Sequence, residues 1–93
     1  MPASRTEIIR NEILDQCYAY RPSSRDADRM FKVFDRHREE LPDATAAEFE
    51  REAAYLVGRG LLEVDPADVA KNHMRWKITA AGIDHMESQG HKV

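Results

Sequence analysis

Apolar residues recur along this chain at helical spacing in several separated stretches, and short polar signals mark where each stretch begins. In the first, Ile9, Ile13, Cys17 and Tyr20 stand at i, i+4, i+8 and i+11, one face of a helix over about 5–20. Ser4-x-x-Glu7 opens it as a capping box, and Arg21-Pro22 closes it, because the ring disfavours a helical residue before it. Leu14 and Tyr18 lie well round from that face and predict a second packing surface, to be covered by a neighbouring helix or a partner.

Ser23-x-x-Asp26 signals another start, and Ala27, Met30, Phe31 and Phe34, then Arg38 or Leu41, predict a second helix over about 24–39 that stops at Leu41-Pro42. Its remaining positions balance five basic against five acidic side chains and read as a solvated face. Thr45-x-x-Glu48 is the cleanest capping box, with Ala44 and Phe49 as its staple. The third helix spans about 46–58, buries Phe49, Ala53, Leu56 and Val57, and closes at Gly58 or Gly60. Leu61-Leu62-Glu63-Val64 and Met74-Arg75-Trp76-Lys77-Ile78 are rich in strand formers and predict an antiparallel hairpin over about 61–78. Thr79 caps a last helix over about 80–88, with Ile78 and Ile83 as staple and Met86 one turn on; residues 89–93 read as a frayed tail.

At 93 residues, 42% hydrophobic and 33% charged, the chain is expected to form one domain over 1–93, with no second core. A single cysteine, Cys17, and a start without a secretory apolar stretch point to the cytoplasm. No apolar run is long enough to span a bilayer, so no membrane role is expected. The four histidines are scattered, far from Cys17, and neither metal-ligand spacing nor a phosphate loop nor a nucleophile elbow occurs. The expectation is therefore no cofactor, no metal and no catalysis.

The order helix, helix, helix, hairpin, helix is that of a winged helix. The text from Glu52-Ala53-Ala54-Tyr55-Leu56-Val57-Gly58-Arg59-Gly60-Leu61-Leu62-Glu63 to Arg75-Trp76-Lys77-Ile78-Thr79-Ala80-Ala81-Gly82-Ile83-Asp84 resembles winged-helix regulators of the MarR and PadR kind, and small phage and bacterial winged-helix proteins. Carrying the resemblance are a helix ending in a leucine, a Gly-Leu-hydrophobic step into the first wing strand, and a hydrophobic-Thr-x-x-Gly step into the last helix. It covers residues 45–87. It implies a mostly α winged helix-turn-helix of three helices, an antiparallel wing and a C-terminal helix. Residues 46–57 then correspond to the recognition helix and 61–78 to the wing.

A recognition helix meets phosphates, yet this one carries Glu48, Glu50 and Glu52 against Arg51, with Arg59 just beyond it. Projection at 100° per residue puts Ala47, Arg51, Ala54, Tyr55 and Gly58 opposite the buried face. There Arg51 can read guanine and Tyr55 can reach a phosphate, while the same side chains are favoured anchors in protein contacts. On the second wing strand Lys71, His73, Arg75 and Lys77 alternate and share one face, a phosphate-tracking edge, while Met74, Trp76 and Ile78 face the core with Leu62 and Val64. Positive side chains on an exposed edge strand also guard against edge-to-edge pairing.

The leading expectation is thus a small regulatory module that binds double-stranded DNA weakly and salt-sensitively. Lys71, His73, Arg75 and Lys77 would hold phosphates, and Ala47, Arg51 and Tyr55 would face the groove. The alternative is a non-catalytic winged-helix protein-contact or oligomerisation module that does not bind DNA, with a homodimer through Leu14 and Tyr18 as one form. The net charge of -3 does not decide between them, because residues 1–24, 25–41 and 61–78 are each neutral, while 43–60 carries -2 and 79–93 carries -1.

Overall fold

The computed structural model describes residues 4–35, 43–65 and 74–88. Within them the order is α1 (Arg5–Ala19), β1 (Arg25–Asp26), α2 (Ala27–Asp35), α3 (Ala46–Gly58), β2 (Leu62–Val64), β3 (Arg75–Ile78) and α4 (Ala80–Ser88). The result is a mostly helical chain with a small antiparallel sheet. The sheet holds three strands in the order β1-β3-β2, so β3 is central and bonded on both sides, where the hydrophobic pattern predicts a two-stranded hairpin with an exposed edge.

The capping signals act where the sequence puts them. Ser4 Oγ accepts from the Glu7 N–H at 3.2 Å and starts α1. Thr45 and Glu48 form a reciprocal capping box on α3, with Thr45 Oγ1 accepting from Glu48 N–H and Glu48 Oε2 from Thr45 N–H. Helix α3 ends on Gly60 at φ 79°, whose N–H reaches Val57 O while Leu61 N–H reaches Leu56 O, the paired bonds of a Schellman turn. That turn aims Leu62 into the core.

Helix α2 departs from its expected start. Arg25 and Asp26 are extended and pair with Trp76 and Arg75, and the helix begins at Ala27 because Asp26, not Ser23, caps it: Asp26 Oδ1 accepts from Arg29 N–H at 2.7 Å. The expected continuation over 36–39 lies outside the described residues. Ala27, Met30 and Phe34 are buried as predicted, and Phe31 and Phe34 close on Phe49 with ring centroids 6.0 and 5.3 Å apart.

Helix α1 lies centrally, against α2, α3, β3 and α4, and so buries more than one face. Ile9, Ile13 and Cys17 are inside as expected, but Leu14 and Tyr18 are inside too, at 2% and 4% exposure. The Tyr18 hydroxyl donates to Glu87 Oε2 on α4 at 3.2 Å. The dimer surface expected at these two residues is therefore covered within the chain. Tyr20, expected on the buried face, lies just past the helix end, exposed, with the Arg25 guanidinium 4.0 Å over its ring.

On β3 the alternation holds for Trp76 and Ile78, both buried over Leu62, and fails at Met74, which precedes the strand and is 41% exposed. The β3–α4 junction explains the Thr-x-x-Gly step. Thr79 Oγ1 accepts from Gly82 N–H at 3.0 Å and donates to Gly60 O at 2.6 Å, and Thr79 N–H donates to Leu61 O. These bonds draw α4 onto the α3–β2 turn so closely that a Cβ on Gly82 would run into the Leu61 carbonyl oxygen and come within 2.6 Å of Ile78 Cγ1.

Gly82→Ala separates packing from propensity. In an open helix the change would stabilise by about 1 kcal/mol. Overpacking at this contact should outweigh that and leave a net destabilisation of about 1–3 kcal/mol, read as a lower urea midpoint. A raised midpoint would contradict the close approach.

Candidate interaction surface on the third helix

Helix α3 turns Phe49, Ala53 and Leu56 inward, and this rotation brings Glu52 to 6% exposure at the boundary with α1. There Arg10 Nε donates to Glu52 Oε1 at 2.8 Å, and Arg51 Nε reaches Glu52 Oε2 at 3.3 Å. The Arg10 guanidinium also lies 3.4 Å from the ring centroid of Tyr55, a cation–π contact. One turn earlier Arg5 forks onto Glu48, with Nε and Nη2 at 2.7 and 2.8 Å from its two carboxylate oxygens, and reaches Asp43 Oδ1 at 2.8 Å. Two arginines of α1 thus answer two of the three glutamates of α3. The acidic excess of that segment is largely neutralised from the side facing α1.

These contacts have electrostatic consequences. Hydrogen bonds from Arg5 hold the carboxyls of Asp43 and Glu48 below the usual carboxylate range, and the same bonds raise the already high Arg5 value. Burial pushes the Cys17 thiol up to about 12, so it stays protonated, and its Sγ lies 3.9 Å from Trp76 O. It reads as a small core residue, not a nucleophile.

The outward projection agrees with the structure: Ala47, Arg51, Ala54, Tyr55 and Gly58 are all exposed. Tyr55 is not free, because Arg10 covers one face of its ring, and Arg51 is shared with Glu52.

The basic strand is arranged differently from the expected edge. Arg75 is half-buried and its Nη2 donates to Ser24 O at 3.1 Å, while Lys77 faces Glu63 on β2 across 3.4 Å. As β3 is central, neither tracks along an open strand edge. Lys71 and His73 lie outside the described residues.

Between the starts of α2 and α3 and the head of β3 lies a cleft of about 270 Å³, lined by Asp26, Asp28, Glu50, Ala47, Met74 and Trp76 among others, with no lysine or arginine among the described residues of its wall. Sequence reasoning missed this cleft and the α1 arginines. The acids are scattered over 26–50, and the packing of α2 on α3, with β1 paired to β3, brings them together. A second hollow of about 160 Å³, between α1, α3 and α4, has Leu14 in its lining, with Tyr55, Arg59 and His85.

Among the described residues no cluster of three or more His, Cys, Asp or Glu side chains is placed to hold a metal, and no helix is long and apolar enough to cross a membrane. No protein family, curated protein or solved structure matches this chain.

The Arg5 contacts fix a pH dependence. Asp43 and Glu48 bind protons less readily folded than unfolded, so their stabilisation is complete above the ordinary carboxylate values and drains as pH falls below about 4. Glu48→Gln keeps a capping acceptor but removes the charge. It should lower stability at pH 7 and flatten the stability–pH curve between about pH 5 and pH 2 in urea titrations. An unchanged acid limb would show that the Arg5 fork adds nothing.

Proposed function

We propose that the chain is a winged-helix domain that makes a protein contact through the outward face of α3, and that it does not work primarily as a DNA reader. The winged-helix part is supported by the element order α1-β1-α2-α3-β2-β3-α4, in which α3 holds the place of the recognition helix and β2–β3 that of the wing. The contact part rests on one observation. The cleft beside the start of α3, where a phosphate backbone would approach a recognition helix, is walled by Asp26, Asp28 and Glu50.

Magnitudes favour this partner. A carboxylate about 6 Å from a phosphate costs about 0.7 kcal/mol even at the dielectric of water, and Asp28 and Glu50 act together here beside Asp26, which Arg29 partly offsets. Against them, Arg51 is shared with Glu52, Arg75 is bonded to Ser24, and Lys77 faces Glu63. Small residues flanked by Arg51 and Tyr55 suit a protein interface, where those two side chains are favoured anchors. The partner is a second copy or another chain, but not through Leu14 and Tyr18, which are buried.

DNA binding is the second reading. The observation in its favour is the outward placement of Ala47, Arg51 and Ala54, a low-relief helix face with an arginine whose side chain is 71% exposed. On that reading Lys71 and His73 supply the missing phosphate contacts.

Two measurements separate the readings. A photo-activated cross-linking residue placed at Ala54 in the producing cell should give protein adducts, and one at Asp84 on α4 should not. Labelled duplex should show no anisotropy change at micromolar protein in about 50 mM salt. Saturable, salt-sensitive duplex binding that Arg51→Ala weakens, without protein adducts at Ala54, would overturn the proposal in favour of DNA.

A further inference from the structure

Resting on the protein-contact reading, we infer that the cleft between the starts of α2 and α3 receives a lysine or arginine side chain from the partner, with Trp76 hydrogen-bonding the main chain beside it.

The charge pattern comes first. Asp26 is committed in part: it caps α2 and lies 3.7 Å from Arg29 Nε. Asp28 sits in the first turn of α2, where a negative charge favours the helix. Glu50 has no such use, being beyond the first turn of α3, and it turns away from the α1 arginines that occupy Glu48 and Glu52. Among the described residues neither Asp28 nor Glu50 has an ionic or hydrogen-bonding partner. Two unpaired carboxylates at one cleft, with no basic residue among the described residues of its wall, complement a cation.

The second observation is independent of charge. Trp76 lines the same cleft, is 1% exposed, and its indole N–H meets no acceptor. Native interiors rarely leave such a donor unused, and a main-chain carbonyl carried in beside the cationic side chain would supply the acceptor. The apolar lining fits the rest of that side chain. Ala47 and the exposed Met74 offer a surface for its methylene stem, while the head reaches the carboxylates at the rim. A phosphate or an acidic peptide would meet the same carboxylates as repulsion.

The chain has one tryptophan, so the full-length protein gives a single indole N–H cross-peak and a direct reporter of the cleft. The probe is acetyl-Ala-Lys-Ala-amide, titrated at low salt, with the norleucine analogue as its uncharged counterpart. The lysine peptide should move the indole peak saturably at millimolar concentration. Glu50→Gln and Asp28→Asn should each weaken it by about three-fold, as should about 0.5 M salt, and the norleucine peptide should leave the peak in place. A stationary peak, equal shifts from both peptides, or unchanged affinity in both variants would overturn the inference. Protein adducts at Ala54 alongside a failed titration would retain the contact face and remove only the cleft. Failure of both removes both.

Discussion

A carboxylate pressed against an apolar helix face has to be met by a cation, and at Glu52 that requirement sets how α1 and α3 lie on one another. Stripping water from an unpaired carboxylate costs several kcal/mol, more than most single contacts return. Glu52 is met by Arg10 at one carboxylate oxygen and by the more exposed Arg51 at the other, and Arg10 is held in turn by the ring of Tyr55. Arg5 and Glu48 repeat the arrangement one turn earlier, in a more solvated setting where it is worth less. Together the two pairs fix the rotation of α3: Phe49, Ala53 and Leu56 go into the core and Ala47, Arg51, Ala54 and Gly58 go out.

What the surface offers a partner follows from that rotation. The α1 arginines are used internally, so the outward face of α3 keeps only a shared arginine and an unpaired Glu50. The central position of β3 does the same for the sheet, turning Arg75 and Lys77 into intramolecular ties. At the cleft Glu50 meets Asp28, neither with a partner among the described residues, beside the partly engaged Asp26. Net charge alone could not distinguish this from a basic groove, because the bookkeeping depends on which cations are already engaged.

Much of the fold was legible because its boundaries are set by local chemistry. Ser4, Thr45 and the Gly60 turn stop and start helices through bonds to residues within a few positions, and Trp76 and Ile78 keep their parity on the strand. The larger departures depend on distant contacts. Asp26 became the cap of α2 because Arg25 and Asp26 pair with β3, and Leu14 and Tyr18 went inside because α4 returns over α1. Met74 escaped the alternation because the strand starts one residue later. At the candidate site the outward residues of α3 were legible from helical projection, whereas the cleft needed the sheet. The Glu52 pairing left a trace: it lies three residues after Phe49 and four before Leu56, on the buried side, which already demanded a cation from elsewhere.

The coupling between Arg10 and Glu52 decides whether this pair sets the α1–α3 packing, and a double-mutant cycle of Arg10→Met, Glu52→Gln and the combined variant in urea unfolding measures it. A coupling of about 1–3 kcal/mol is expected, with Arg10→Met alone the most destabilised because it leaves the buried Glu52 with only the exposed Arg51, 3.3 Å from its other oxygen. Additive single effects, with coupling near zero, would contradict it.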